Sequence, residues 1–200
     1  MIGAIILAAG SGSRFGKKKQ FEKIDGKTLW KIVYDKVVQF ADSSNIIVVG
    51  VDIEGGKSRN ESLYFGLKKL SKDIDKVIVL EAARPLVRID QIIEILKINL
   101  PSCTFVRPLV NTIVSKHYNY LDRDEYLEIL TPQVFDYKLL VKALESYNYI
   151  NYTDETRVMY EYYNIQPFFL NGDEYLNKVT YELDLIMMRE LDKKWKKKQF

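Results

Sequence analysis

The order of apolar and polar residues along this chain predicts strands and helices that alternate. Continuous apolar runs, which are typical of parallel strands covered on both faces, occur at Ile2 to Leu7, Ile46 to Val49 and Lys76 to Leu80. Apolar residues at helical spacing predict helices over Thr28 to Phe40, Asn60 to Leu70, Asp90 to Ile98, Asp136 to Leu144, Glu155 to Tyr163 and Tyr181 to Trp195. Strands separated by helices predict an α/β domain with a mostly parallel sheet flanked by helices.

The rest of the chain has weaker patterns. Cys103 to Val110 and Ile165 to Leu170 are predicted to be extended, whereas residues 111–130 are polar and aromatic without a clear period. No internal repeat, low-complexity tract or linker marks a boundary, so residues 1–200 are predicted to form one domain.

Composition and charge exclude several classes of protein. With 47% apolar residues, 12% aromatic residues and a net charge of +3, the chain is not expected to be disordered. No apolar run approaches the ~18 residues of a membrane span. The apolar start lacks a basic segment, so it is expected to be a buried strand and not a signal peptide. A pI of 8.7 is too mild to indicate a nucleic-acid partner.

Three other features are expected to have no catalytic role. Cys103 is the only cysteine, which excludes an internal disulfide and a cysteine-based zinc site and favours a cytosolic location. It lies in an apolar run, so we expect it in the core. His117 is expected on the surface. The lysine-rich run at residues 193–198 is expected to be a solvated helix end, favoured by the helix dipole.

Unusual loops follow the first three predicted strands. Gly10 to Arg14 follows the first, Glu54 to Gly56 follows the second, and Glu81 to Pro85 follows the third. Ligands of open α/β sheets bind beyond the carboxyl ends of the strands. We therefore expect the three loops to converge on one edge of the sheet and to form a binding site there.

The chemistry of these loops suits a nucleoside triphosphate. The small residues of the first loop let the backbone approach a ligand, and its N–H groups can bind phosphate, although it matches neither the G-x-G-x-x-G nor the Walker pattern. Arg14 and Lys19 would supply positive charge. Glu81 could hold Mg²⁺ and Arg84 a phosphate. Each loop alone is also explained by a tight turn, a helix cap or a salt-bridged strand end.

Six motifs occur in one order along the chain. They are Leu7 to Arg14 with Lys19-Gln20, Gly55-Gly56 with Arg59 and Ser62, Ala82-Ala83-Arg84-Pro85, Leu130-Thr131-Pro132-Gln133, Thr153-Asp154-Glu155 and Lys178-Val179-Thr180. In order and chemistry they resemble the 2-C-methyl-D-erythritol 4-phosphate cytidylyltransferase family and its close relatives, the ribitol 5-phosphate cytidylyltransferases. The resemblance runs from about residue 2 to residue 185.

The resemblance implies a fold, a reaction and partners. The fold would be a Rossmann-like nucleotidyltransferase domain with a projecting arm, at about residues 111–130, that helps to form a homodimer. A polyol phosphate would attack the α-phosphate of CTP in the presence of Mg²⁺ and release pyrophosphate, as a cytoplasmic step of isoprenoid synthesis. No nucleic acid or membrane partner is expected. The attacking phosphate oxygen is already ionised at neutral pH, so catalysis would rest on positioning and charge neutralisation.

Roles for individual residues follow from the same resemblance. The catalytic cations would be Arg14, Lys19 and Lys178. The nucleotide would be bound by Ala8, Ala9, Gly10, Ser11, Gly12, Gly56 and Ser62. The polyol phosphate would be bound by Arg84, Thr112, Arg123 and Thr131, of which the last three would reach it from the arm, often across the dimer. Glu81 would hold the metal.

Two departures from the family pattern bear on these roles. Glu81 stands where the family usually has aspartate, and Val48 to Ile53 leads almost directly into the glycines, where a short helix and perhaps a strand are usual. Two alternatives stay open. One is a cytidylyltransferase for ribitol 5-phosphate or another polyol phosphate in cell-surface polymer synthesis. The other is a nucleotide-binding homologue without catalytic activity.

Overall fold

A six-stranded sheet forms the centre of the molecule in the computed structural model, which describes residues 1–146, 148 and 151–198. In spatial order its strands are β10 (Phe168–Asn171), β6 (Ser102–Pro108), β9 (Leu127–Asp136), β5 (Lys76–Glu81), β1 (Ile2–Leu7) and β4 (Ile46–Val49). β1 pairs in parallel with β4 and β5, and β10 pairs in parallel with β6. β9 runs antiparallel to both of its neighbours. The predicted α/β fold with a mostly parallel sheet is confirmed.

Successive residues of β1 face opposite sides of the sheet, and both sides are covered. Ala4 and Ile6 pack into one apolar cluster and Ile5 packs into the other, and all three side chains are 0% exposed. Burial on both faces explains why this strand is a continuous apolar run without alternation. The strand end matters for the site: Leu7 pairs with both Val49 and Glu81, so β4, β1 and β5 end at the same level.

Helices cover the two faces of the sheet. They are α1 (Leu29–Val37), α2 (Arg59–Leu67), α3 (Ile89–Lys97), α4 (Tyr137–Glu145), α5 (Glu155–Tyr163) and α6 (Glu182–Lys198). α1 and α3 pack on one face, and α2, α4 and α5 pack on the other. All six lie where the sequence predicts a helix, with ends that differ by at most three residues. Within the described ranges, no helix combines the length and the apolar character that crossing a membrane would need.

The strand β9 is the strand of the central sheet that the sequence analysis missed. Its pattern is interrupted by polar residues and a proline, and the structure accommodates them in a bulge: Leu130 pairs with Phe105 and Gln133 with Thr104, so Thr131 and Pro132 are extra residues. Proline lacks a backbone N–H and is found in sheets mainly at edges or bulges. An interior strand with this pattern is recognisable only once its neighbours are known.

The segment that was predicted to form an arm contains an exposed two-stranded ribbon. It contains β7 (Ile113–Val114) and β8 (Tyr120–Leu121), which pair antiparallel. From Leu127 onward the chain belongs to β9, so the last residues of the predicted segment 111–130 lie in the sheet. His117 is exposed in the ribbon and Cys103 is a buried free thiol, as predicted. A small hairpin of β2 (Lys23–Ile24) and β3 (Lys27–Thr28) was not predicted.

A tight turn replaces the longer segment that the family usually has after β4. Gly50 donates its N–H to the Ile53 carbonyl at 2.7 Å, and the Asp52 carboxylate accepts from the Val48 N–H at 2.7 Å. Gly50 has a φ of +101°, and a Cβ there would lie 2.6 Å from the Ala8 carbonyl oxygen. The turn therefore packs directly on the loop that follows β1, and the short segment still returns the chain to Gly55-Gly56.

We predict that Gly50→Ala destabilises the protein by about 2–3 kcal/mol, because the new methyl group meets backbone and φ is positive. Chemical denaturation measures the free energy of unfolding. Gly10→Ala is the matched control, since no heavy atom lies within 4 Å of its added Cβ. Equal stability of the two variants would contradict the tight packing of this turn.

Candidate active site

The loop after β1 is held in shape by its own chain. Ala8 donates its N–H to the Val49 carbonyl at 2.8 Å, and the buried Gln20 amide donates to the Gly10 carbonyl at 3.2 Å. Gly12 has a φ of +73°, and a Cβ there would lie 1.8 Å from the Lys17 carbonyl oxygen. Only glycine fits such a position. The small residues of this loop thus serve a close turn whose backbone lines a cavity.

The loop after β4 lies against the first loop. The Ser62 hydroxyl accepts a hydrogen bond from the Gly56 N–H at 2.9 Å and donates to the Ser58 carbonyl at 2.9 Å. A Cβ on Gly55 would lie 2.3 Å from the Ala9 Cβ, so the two loops are in contact. Ser58 also caps α2 by accepting from the Glu61 N–H at 3.1 Å. The Gly55-Gly56 pair therefore makes close approach of two backbones possible.

The loop after β5 places one buried carboxylate among three cations. Glu81 Oε1 lies 3.2 Å from Arg59 Nε, and Oε2 lies 2.6 Å from Lys178 Nζ and 3.9 Å from Arg84 Nε. Burial alone would raise the pKa of Glu81, but the positive charges of these three groups outweigh it and lower the pKa to about 2. Glu81 is therefore ionised throughout the physiological range.

These loops enclose a cavity of about 470 Å³ at the carboxyl ends of β1, β4 and β5. The structure brings most of the predicted residues together there. The lining includes Ala8, Ala9, Gly10, Ser11, Gly12, Arg14, Lys19, Gly56, Ser62, Glu81 and Lys178. The expected convergence of three loops on one edge of the sheet is thus confirmed. Among the described residues that line the cavity, Glu81 is the one acidic residue.

A second cavity, of about 1070 Å³, adjoins the first. Arg14, Lys178 and Thr180 line both. Arg84 lines the second cavity and is mostly buried, with one guanidinium nitrogen bonded to the Leu176 carbonyl. Two adjoining cavities with shared cations suit two anionic substrates that react with each other.

Three predicted residues do not line either cavity of this chain, although Asn111, next to Thr112, lines the second. Thr112 and Arg123 are exposed in the ribbon, where Arg123 donates to the Val110 carbonyl at 2.6 Å. Thr131 is buried in the β9 bulge, and within the described part of the chain its hydroxyl has no hydrogen-bond partner. None of the three lines either cavity. Within one chain, the structure therefore does not assemble the four predicted polyol-phosphate residues around one site.

Two arginines at the cavities received no role from the sequence. Arg59 lines the first cavity and contacts Glu81. Its position at the start of α2, directly after the glycine loop, was the signal that would have found it. Arg107 lines the second cavity, with its Nε 2.7 Å from Glu128 Oε2. It lies inside an apolar strand pattern, so no sequence signal separated it from a solvent-facing arginine.

The first cavity is strongly electropositive. Arg14, Lys19, Arg59 and Lys178 face one carboxylate. Burial lowers the pKa of Lys19, and the neighbouring charge of Lys178 lowers it further. Such crowding of like charges is relieved by a polyanion, and phosphate groups supply one. Among the described residues, no group of three or more His, Cys, Asp or Glu side chains could hold a metal ion by itself.

A glycine-rich loop at the carboxyl edge of a parallel sheet, surrounded by cations, is typical of a nucleotide-binding site, and the comparisons with known protein families define the class as a nucleotidyltransferase. In agreement, the sequence model of the MobA-like NTP transferase domain matches residues 4–97. The model of the 2-C-methyl-D-erythritol 4-phosphate cytidylyltransferase family matches residues 51–191. The chain belongs to this cytidylyltransferase family.

Similar proteins cover nearly the whole chain. The 2-C-methyl-D-erythritol 4-phosphate cytidylyltransferase of Clostridium tetani is 33% identical over 96% of this chain and 90% of its own length. The enzyme of the same name from Thermotoga neapolitana is 29% identical over 97% and 98%. Among solved structures, that of the Francisella tularensis 2-C-methyl-D-erythritol 4-phosphate cytidylyltransferase has a TM-score of 0.76 and 26% identity, covering 93% of this chain and 97% of that chain.

We predict that the Glu81 carboxylate makes stability depend on pH below about 4.5. The pKa is about 2 in the folded protein against an ordinary value of 4.5, so its stabilising contribution is complete above pH 4.5 and is lost as the pH falls toward 2. The shift corresponds to on the order of 3 kcal/mol. Unfolding free energies of wild type and Glu81→Gln, measured from pH 7 to pH 3, should converge as the pH falls.

Glu145→Gln serves as the control, because Glu145 is exposed and 3.5 Å from Lys68. Its difference from wild type should change by less than about 0.5 kcal/mol over the same range. A pH-independent difference for Glu81→Gln would show that the three cations do not hold this carboxyl ionised.

Proposed function

We propose that this protein transfers CMP from CTP to 2-C-methyl-D-erythritol 4-phosphate and releases pyrophosphate, as in isoprenoid synthesis. The observation that carries the proposal is the pair of adjoining cavities with shared cations at the carboxyl edge of the sheet. The substrate comes from the names of the similar proteins, all of which match over most of this chain. Residues 1–200 would act as one catalytic unit.

The first cavity would bind CTP. The backbone of Gly10, Ser11 and Gly12 would face the phosphates, with Arg14 and Lys19 neutralising their charge. The base would rest between the Ala8-Ala9 backbone and the Gly56 and Ser62 region. The Ser62 hydroxyl already uses its proton and one lone pair within the chain, so it would contact the base only as an acceptor.

The reaction needs no general base in this site. A phosphate oxygen of the polyol phosphate forms a new bond to the α-phosphorus of CTP, and the bond between the α-phosphorus and the β-phosphate oxygen breaks, so pyrophosphate leaves with its charge. Arg14, Lys19 and Lys178 line the first cavity and would stabilise the charge that develops on the phosphoryl oxygens. Lys178 and Arg14 line both cavities and would contact both substrates.

The donor set fits a magnesium ion that is bound mainly by the nucleotide. Mg²⁺ commonly uses one or two carboxylates together with substrate phosphates and waters, and Glu81 is the one carboxylate of the first cavity. Glu81 would hold the ion, which when bound would neutralise charge on the triphosphate.

The polyol phosphate would occupy the second cavity, where Arg84 and Lys178 face it. We propose that Thr112 and Arg123 reach this cavity from the ribbon of a second copy in a homodimer. Val110, Tyr118 and Tyr120 of the ribbon are 81%, 84% and 72% exposed, and such a group of exposed apolar side chains is typical of a surface that another chain covers. Thr131 is buried in its own chain, so it would contact substrate only if the bulge opened.

The proposed location is the cytoplasm.

The experiment that tests the function measures pyrophosphate release from CTP and Mg²⁺ with each polyol phosphate. We predict turnover with 2-C-methyl-D-erythritol 4-phosphate and much less with ribitol 5-phosphate. Lys19→Ala should lower kcat by about 10²–10³-fold with a smaller change in KM for CTP, because its charge acts mainly in the transition state. Turnover of ribitol 5-phosphate alone would change the substrate assignment.

Lys18→Ala is the matched control, because Lys18 is exposed beside Lys19 and does not line either cavity. It should keep kcat within about 2-fold of wild type, as expected for a solvated side chain. An equal loss in both variants would show that the lysine run acts only through its overall charge.

A separate prediction concerns the arm. If Arg123 serves the partner's site, mixing Arg123→Ala with Lys19→Ala under conditions that exchange subunits should restore activity. Each mixed dimer would hold one intact site, so it should have about half of the wild-type activity. The comparison is a mixture of Arg107→Ala with Lys19→Ala. Arg107 lines the cavity of its own chain, so every site of a mixed dimer would carry one substitution and no activity should return. No rescue for Arg123, or a monomer in sedimentation, would contradict the shared site.

A further inference from the structure

The motif Thr153-Asp154-Glu155 contacts neither cavity, yet it ends in a buried charge. Glu155 begins α5 on the face of the sheet that α2 and α4 cover, and its side chain is 0% exposed. One carboxylate oxygen bonds the Arg59 guanidinium. Arg59 in turn lines the first cavity. Glu155 is thus a buried acid one residue removed from the substrates.

Two carboxyl groups and two cations alternate along a continuous line into the site, although burial raises the pKa of the Glu155 carboxyl against the opposing charge of Arg59. The line begins at Glu155, which bonds Arg59. Arg59 Nε lies 3.2 Å from Glu81 Oε1. The other oxygen of Glu81, Oε2, lies 2.6 Å from Lys178 Nζ, where the line ends. Burial opposes the charge of Arg59, but Glu155 and Glu81 outweigh it and raise its pKa. Arg59 therefore stays charged and bridges two carboxylates through its fork.

Neighbouring contacts hold Glu155 in place. Asp154 caps α5 by accepting from the Thr156 N–H at 2.9 Å. The other Asp154 oxygen accepts from the Gln133 amide at 2.8 Å, which ties the helix start to β9. A carboxylate in the first turn of a helix is favoured by the helix dipole. The second carboxylate oxygen of Glu155 is nevertheless buried and has no hydrogen-bond partner among the residues that the structure describes.

A buried carboxylate with one unsatisfied oxygen is not what stability alone would favour. Removing an ion from water costs free energy that a single good pair offsets only in part, and apolar replacements of buried pairs are often neutral or stabilising. The position of this charge is better explained by what it does to Arg59. With Glu155 ionised, Arg59 is shared between two carboxylates. The Glu81 carboxylate can therefore pair with Lys178 as well as with Arg59.

We propose that Glu155 is a positioning residue for the transfer reaction, which acts through Arg59 to hold the Glu81 carboxylate between Arg59 and Lys178. This inference rests on the proposed function. Without the Glu155 charge, Arg59 pairs with Glu81 alone and draws that carboxylate toward α2. Lys178 then loses the anchor that places its ammonium where the two cavities meet.

The test is a double-substitution cycle with Glu155→Gln, Glu81→Gln and the pair together. We expect Glu155→Gln to lower kcat by about 10-fold while the affinity for CTP, measured by titration calorimetry, stays within about 3-fold. In the Glu81→Gln background, the same substitution should lower kcat by less than about 2-fold, because its route to Lys178 is already broken. Losses that multiply independently would overturn the proposal.

Two further variants distinguish a positioning role of Glu155 from a general structural effect of its substitution. The first is Glu161→Gln, because Glu161 lies on the same helix, is exposed and is 3.4 Å from Arg157. This variant should keep kcat within about 2-fold of wild type. Arg59→Lys keeps the charge without the two-sided fork, and it should reproduce the loss in kcat. If Glu155→Gln does not fold, Arg59→Lys alone tests the proposal. A wild-type kcat for Arg59→Lys would then overturn it.

Thermal unfolding of the same variants measures the coupling between Glu155 and Glu81 without any substrate. Removing both carboxylates leaves the Arg59 charge without either acidic partner, so the double variant should melt about 4 °C or more below the sum of the single shifts. Additive shifts would overturn the proposal. A wild-type protein that releases no pyrophosphate with any polyol phosphate, but shows this coupling, would contradict the proposed function instead.

Discussion

The candidate site depends on one buried negative charge. Glu81 ends β5 at the same level as the ends of β1 and β4, and it meets positive groups that come from distant parts of the chain. Arg59 arrives from α2, Arg84 from the loop after β5, and Lys178 from the segment before α6. These cations would repel each other without the carboxylate. Glu81 therefore lets several positive charges occupy one small volume, where a polyphosphate can replace or share their partner.

The walls of the first cavity are made mainly from backbone. The loops after β1 and β4 touch at positions where side chains would clash, as between Gly55 and Ala9 and between Gly50 and Ala8. Ser62 holds Gly56 in the same arrangement. Such contacts leave little freedom for the loops to move, and a rigid, preorganised wall suits a reaction in which positioning supplies most of the catalysis. The short turn at Gly50 fulfils this role with fewer residues than the family usually has.

The second cavity depends on how β9 extends the sheet. β9 lies between β5 and β6, antiparallel to both, and its amino end continues from the exposed ribbon. On the other side of β6, its pairing with β10 brings Arg107 near Asn177, one residue before Lys178. At the bulge, the Thr104 hydroxyl of β6 donates a hydrogen bond of 2.8 Å to the Leu130 carbonyl of β9. The sheet thus carries both the nucleotide loops and the walls of the adjoining cavity.

The sequence by itself determined the fold class and most of the first cavity. Continuous apolar runs mark strands buried on both faces, and helical periodicity marks the covering helices, because both patterns record local burial. The glycine loop, Arg14, Lys19 and Glu81 lie at ends of such strands, and in a parallel sheet the strand ends meet. Only the tertiary structure decided that β9 is an interior strand, that Thr131 is buried in its bulge, and that Arg59 links Glu155 to Glu81. Those facts depend on which distant residues become neighbours, and 96 positions separate Arg59 from Glu155 with no periodic pattern to connect them.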